Sequence, residues 1–241
     1  MRNGHHVAVV DPGDAAPVLA WLDENDVVLS AILATHHHAD HVGGIRALRA
    51  RYDVPVFGPA GESIPERTHA LGEGDRIDVP GVDLSLSVLD IPGHTAGHIA
   101  YYRSGDDPVL FCGDTLFAAG CGRLFEGTPA QMWSSLSKLA ALAVATRVFC
   151  GHEYTLANLR FAAAVEPAND DIRARAVRER DKRAQDVPTL PSTIGAERAT
   201  NPFLRASLPE VSAAAAARAG RPLGDVVAVF AALREWKNGF Q

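Results

Sequence analysis

The stretch Thr35-His36-His37-His38-Ala39-Asp40-His41 constrains this chain more than any other. It places an H-x-H-x-D-H spacing directly after the apolar run Ile32-Leu33-Ala34, so a buried strand ends in a cluster of imidazoles and a carboxylate. Side chains two apart on an extended segment share a face, which sends His36 and His38 toward one ion. Asp40 and His41 are adjacent and cannot both join that pair, so they suit a second ion nearby. His37 points the other way and is not expected to be a ligand. A solvated histidine tract or a tag remnant would lack the aspartate at a fixed place. Nor would it sit between a buried strand and an amphipathic helix.

Composition excludes several classes. The 241 residues suffice for one large domain or two smaller ones, and a net charge of −6 argues against a general phosphate-backbone binder, so no nucleic-acid partner is expected. No apolar run approaches a membrane span, and no signal-peptide core follows Met1. Cys112, Cys121 and Cys150 are an odd set without a CxxC pair, which suits a reducing, cytoplasmic setting. His5 and His6 have no partner pattern and read as a solvated turn.

Along the chain, Val7–Val10 reads as a strand ending in the turn Asp11-Pro12-Gly13. Asp14 caps a helix with the stripe Val18, Trp21 and Leu22 packed on a sheet. The strand Val27–Ala34, a helix marked by Val42, Ile45 and Leu48, and the strand Val54–Phe57 continue a βαβα alternation. From Asp75 to Tyr102 short strands take over, followed by Val109–Cys112, a helix over 129–143 capped by Thr128, and the strand Arg147–Cys150. Beyond His152 the strands are expected to stop. Helical spacing at Leu156, Leu159 and Ala163, the charged segment Asn169–Gln185, and the stripe Val226, Val229, Phe230 and Leu233 predict a small helical domain. The expected division is 1–152 and 153–241.

Three further strand-end motifs bear on the first. Pro92-Gly93-His94-Thr95-Ala96-Gly97-His98, Cys112-Gly113-Asp114-Thr115 and Gly151-His152 each deliver a ligand type from a loop at the end of a strand. Taken singly, Gly-His and Gly-Asp are ordinary turn pairs. In this order after H-x-H-x-D-H, the set resembles the metallo-β-lactamase superfamily. Within it, Gly120-Cys121-Gly122-Arg123, Gly151-His152-Glu153-Tyr154-Thr155 and Asn201-Pro202-Phe203-Leu204-Arg205 are similar to glyoxalase II, the hydroxyacylglutathione hydrolases. The resemblance implies an α+β fold, an αββα sandwich followed by a small all-helical domain.

It also implies two divalent ions per chain, zinc foremost, with iron or manganese as alternatives. By resemblance His36, His38 and His94 hold the first ion, Asp40, His41 and His152 the second, and Asp114 bridges them. Asp114 and Asp40 become the catalytic carboxylates around a metal-bridging hydroxide that attacks a thioester. Cys112 reads as a core cysteine because the ligand set is already complete, and Asp11 and His98 as turn or supporting residues. Arg123, Tyr154, Arg234 and Lys237 are implied to bind the glutathione part of the substrate, and Phe125 stands where a tyrosine is frequent in the family. The implied reaction is hydrolysis of S-(2-hydroxyacyl)glutathione, such as S-lactoylglutathione, by a monomer. The competing reading is a mononuclear-iron glutathione-persulfide dioxygenase of the same superfamily; a third is a truncated, non-catalytic binder of glutathione conjugates. Relatives usually carry a further strand before the segment matching Val7–Asp11, so an exposed sheet edge is expected there.

Overall fold

The structure is a computed structural model and describes residues 1–240. The first sheet is built from β1 (Arg2–Asn3), β2 (His6–Val10), β3 (Val28–Leu33), β4 (Val56–Pro59) and β5 (His69–Leu71), in that spatial order. Strands β2 to β5 run parallel, with α1 (Ala15–Glu24), α2 (Ala39–Val42) and α3 (Ile45–Arg51) lying in their crossovers. Asp14 caps α1, accepting the Ala16 amide at 2.9 Å, as its position before the apolar stripe predicts.

The second sheet starts with the meander β6 (Arg76–Val79), β7 (Leu84–Asp90), β8 (Ile99–Arg103) and β9 (Val109–Gly113). A short hairpin of β10 (Leu116–Phe117) and β11 (Gly120–Cys121) follows, then α4 (Pro129–Ala140) with a full capping box between Thr128 and Gln131. β12 (Arg147–Cys150) joins β9 in parallel. Beyond it come α5 (Thr155–Val165), α6 (Asp170–Ala184), β13 (Ser192–Thr193), α7 (Ile194–Thr200), α8 (Pro209–Ala219) and α9 (Val226–Asn238).

Period-two alternation, reset once in β3 where its pairing with β2 shifts between Leu29 and Ala31, sorts the strand residues into layers. Leu29 and Ile32 face α1 and α3, whereas Ala31 and Leu33 face the other sheet and meet Leu86, Val88 and Tyr101. The opposite face of the second sheet, with Leu110, Cys112 and Val148, is covered by Met132 and Leu136 of α4, by Phe161 and Phe230 from later helices and by Phe203 from the turn between α7 and α8. The order is therefore helix, sheet, sheet, helix, as expected. One hydrophobic core runs across residue 152, and burial of each aromatic ring there contributes on the order of 2 kcal/mol.

Four expectations are corrected. Strands do not stop at His152: β13 pairs antiparallel with β12, at Arg147↔Thr193 and Val148↔Ser192. Two residues are too few to show a periodic pattern, yet they cover the edge that β12 would otherwise leave open. The edge of β2 is partly paired, since β1 turns back onto it at Arg2↔Val7 and Asn3↔His6; His6 thus belongs to a strand, and only His5 to the turn. Trp21 is not packed on the sheet but is 43% exposed, bordering an apolar groove with Val9, Val10, Phe111 and Phe149.

Candidate metal centre

The ligand loop is held before any ion is considered. Ala34 follows β3, its carbonyl accepting the buried Tyr101 hydroxyl at 2.9 Å, and the Ile99 amide reaches the Thr35 carbonyl at 3.0 Å. Extended backbone lasts only to His38, which caps α2, so Asp40 and His41 lie on the first turn of a short helix rather than on a strand. That turn approaches the Asp11-Pro12-Gly13 corner so closely that a Cβ on Gly13 would lie 2.0 Å from the Asp40 carbonyl oxygen.

His36, His38 and His94 bring one nitrogen each within 4.8 Å of one another, and Asp40, His41 and His152 form a second such group. Asp114 lies between them. Its Oδ1 is 3.4 Å from His41 Nε2, and its Oδ2 is 3.5 Å from His94 Nε2 and 3.4 Å from His152 Nε2. Gly151 makes that convergence possible: a Cβ there would fall 2.4 Å from Asp114 Oδ1 and 2.5 Å from His41 Cε1. All seven residues singled out from the sequence meet at one place. His37 does not join them and turns toward Glu62 and Glu126.

The donor set fits divalent ions on observations of its own. The Thr35 hydroxyl gives its only proton to Asp11 Oδ2 at 2.8 Å, so at 3.0 Å the neighbouring His36 Nδ1 must be the donor. His36 Nε2 is then a lone pair, fully buried and without a partner, and Asp114 Oδ1 is a second such orphan. His94 donates Nδ1–H to the Arg123 carbonyl at 2.8 Å, and its Nε2 faces His38 Nδ1 at 3.1 Å. His41 Nε2 faces His152 Nε2 at 3.3 Å. The buried, partnerless His36 Nε2 and Asp114 Oδ1, with four more imidazole nitrogens this close by, suit a cation as their common partner.

The electrostatics agree. Burial and the surrounding imidazoles push the His36 pKa far down. Burial also works against a charge on His41, but Asp11 and Asp114 outweigh it and raise its pKa to about 10. Burial works against the Asp114 carboxylate, yet His41, His152 and His94 hold its pKa below the usual carboxylate range. A protonated His41 among carboxylates is where positive charge is wanted, and an ion taking that nitrogen displaces the proton.

Asp11 and His98 support the ligands. Asp11 accepts the Thr35 amide at 2.7 Å and orients His41 through Nδ1 at 3.0 Å. His98 donates Nδ1–H to the Ile99 carbonyl at 3.0 Å and accepts the Asp114 amide on Nε2 at 3.2 Å. Burial lowers its pKa to about 3, so it serves as a neutral ring. Cys112 is a fully buried core residue, and all three cysteines are free.

The centre opens into a cleft of about 750 Å³ lined by His38, Asp40, His94, Asp114 and His152 on one side. Arg123, Tyr154, Arg234 and Lys237 all line the same cleft. Arg123 is exposed, and Tyr154 stacks on His152 with ring centroids 5.4 Å apart. Arg234 is buried and donates to the Cys121 carbonyl at 2.9 Å. Lys237 is half-buried; burial first, then Arg234 and Arg160, lower its pKa to about 8. Phe117, Asn158 and Cys121 also line the cleft, and Glu62 stands beside His37; only Cys121, within Gly120-Cys121-Gly122-Arg123, lies in a motif quoted above, and no spacing marks Asn158 or Glu62.

Comparison with known proteins places these observations. The family model described as "Metallo-beta-lactamase superfamily" matches residues 1–152, and "Hydroxyacylglutathione hydrolase C-terminus" matches residues 153–240. The structure is similar to that of BLEG-1 B3 metallo-β-lactamase, with a TM-score of 0.61 and 25% identity over 83% of this chain and 89% of that one. It is also similar to TTHA1623 in a di-iron-bound form, with a TM-score of 0.55 and 29% identity over 80% of this chain and 87% of that one. The fold is that of the metallo-β-lactamase superfamily. The hydroxyacylglutathione hydrolase of Nitrosomonas eutropha is 53% identical over 241 residues, covering 100% of this chain and 93% of the relative. That of Alkalilimnicola ehrlichii is 58% identical over 237 residues, 98% of this chain and 91% of the relative. The chain belongs to the hydroxyacylglutathione hydrolase family within that superfamily.

Proposed function

We propose that this protein hydrolyses S-(2-hydroxyacyl)glutathione thioesters, such as S-lactoylglutathione, to glutathione and a 2-hydroxy acid, thereby disposing of methylglyoxal-derived adducts. The observation that carries the reading is the junction of two donor clusters through Asp114 at the floor of a cleft lined by cations. His36, His38 and His94 would hold one divalent ion, Asp40, His41 and His152 the other, with Asp114 shared; zinc is proposed, iron and manganese being the alternatives. Ions bound there supply Lewis acidity toward a carbonyl and a water that is deprotonated at neutral pH.

The chain's own residues do the rest. Asp114 and Asp40 border the cleft as carboxylates that balance the added charge and hold water's proton on the open side. The exposed Phe125, edge-on to His38 and His94, and the stacked Tyr154 cover the reacting centre from two sides. A thiol with a pKa of about 8.5 leaves as thiolate without a strong acid, and the cleft requires none. Glutathione's carboxylates are met by Arg123 and Lys237, while Arg234 holds the β10–β11 hairpin and completes the basic wall. The free cysteines support a cytoplasmic setting, and among the described residues no helix is long and apolar enough to cross a membrane. We read the protein as a monomer. The mononuclear persulfide dioxygenase reading is less supported, because residues 153–240 match the hydroxyacylglutathione hydrolase C-terminus and it has no need of that cation-bearing helix.

Lys237→Ala tests the substrate side. Charge-assisted contacts contribute about 1.5–3 kcal/mol, so KM for S-lactoylglutathione should rise about tenfold or more. The contact lies away from the reacting carbon, so kcat should change little. A thioester lacking the glutathione carboxylates should show no such loss; equal impairment on both substrates would mean that Lys237 supports the fold.

The lowered pKa of Lys237 adds a pH signature. A lysine with a pKa near 8 is charged below that value and neutral above it, so KM should climb between about pH 7 and 9. Lys237→Arg keeps the charge throughout and should flatten the climb. An unchanged KM–pH profile in that variant would remove Lys237 from substrate recognition.

A further inference from the structure

Glu62 lies in the loop after β4, outside every motif of the sequence, and its side chain is only 3% exposed. Its carboxylate gathers four donors. Oε2 accepts the His37 amide at 2.6 Å and faces His37 Nδ1 at 2.9 Å; Oε1 accepts the Gly97 amide at 3.0 Å and the Thr95 hydroxyl. His37 sits between His36 and His38, and Thr95 follows His94. One buried carboxylate thus ties together the two loops that carry all three imidazoles of the first donor cluster. None of its hydrogen bonds involves Asp40, His41 or His152.

We propose that Glu62 is a positioning residue selective for the ion held by His36, His38 and His94, setting the distance between the two loops that bear them. This rests on the assignment of those three histidines to one ion. A carboxylate suits the place because it only accepts, and all four partners donate. Glutamine has nearly the same shape but turns an NH2 group toward at least one donor, which leaves a buried clash of donors. Glu126 approaches the same histidine from outside, at 3.3 Å from Nε2, and accepts the Ala96 amide at 2.8 Å. It is exposed and does not join the loops through His37's backbone, so it serves as the control.

The test titrates zinc into the metal-free full chain against a chromophoric chelator. Wild type should bind two equivalents, and His94→Ala should identify the one that depends on the first cluster. Glu62→Gln should weaken that same equivalent by about 10- to 100-fold and leave the other within about twofold. Thr95→Val removes one donor only and should weaken the same equivalent less; it carries the test if Glu62→Gln does not fold. Glu126→Gln should bind both equivalents as wild type does. Two tight equivalents in Glu62→Gln would overturn the proposal, and so would a parallel loss of both with a fall in the metal-free Tm. The same selective loss in Glu126→Gln would also overturn it, by locating the effect in the charge around the His37 ring. Failure of wild type to bind two equivalents would instead overturn the assignment of the site.

Discussion

Asp114→Ala should lose both bound ions together and nearly all turnover. The carboxylate stands within 3.5 Å of nitrogens from both donor clusters, so its removal takes a ligand from each. Loss of Lewis acidity worth several kcal/mol corresponds to a fall in kcat/KM of about 10³-fold or more. Metal analysis of the purified variant beside kinetics on S-lactoylglutathione makes the check. Asp114→Asn is the sharper companion, because it keeps the shape and still removes the charge that compensates the cations. A variant that retained one full equivalent and a tenth of the activity would mean that Asp114 belongs to one ion only.

Glu197→Ala should be the most destabilising change outside the metal centre. Glu197 is fully buried, paired with Arg175 at 2.7 Å, and its Oε2 accepts the Ala119 amide at 2.7 Å and Asn201 Nδ2 at 3.0 Å. Asn201 in turn donates to the Gly120 carbonyl at 2.9 Å. This network fastens α7 to the β10–β11 hairpin, from which Cys121 and Arg123 enter the cleft. Removing one partner leaves Arg175 as an unpaired buried charge, at a cost of about 3–5 kcal/mol. At about 2–4 °C per kcal/mol for a chain of this size, Tm should fall by roughly 10 °C. Replacing both partners, Arg175→Met with Glu197→Leu, should recover much of the loss, because neither charge is left alone. If Glu197→Ala unfolds within about 2 °C of wild type, the network does not hold the two halves together.

The seven clustered side chains were legible because spacing and residue type both restrict them: H-x-H-x-D-H, then Gly-His, Gly-Asp and Gly-His at strand ends. Their backbone was less so. The alternation that pairs His36 with His38 ends there, and Asp40 and His41 reach the site from a helical turn whose four residues are too few to show a period. The layer order of the first half followed from the βαβα succession, whereas Trp21, at helical spacing with Val18, proved 43% exposed. Ser192-Thr193 carries no strand signal of its own and pairs only because β12 offers an edge. Glu62 could not be found from spacing, since its importance comes from where three loops cross. For Arg234 a helix position cannot reveal that the guanidinium is already engaged by Cys121.

The most direct test of the account is hydrolysis of S-lactoylglutathione by the purified protein, with metal content measured on the same sample. The account predicts thiol release that scales with metal content up to two equivalents per chain, is abolished by a chelator and returns with zinc. Thiol release that survives complete removal of metal, or a fully active sample saturated at one iron that consumes oxygen on glutathione persulfide, would contradict it.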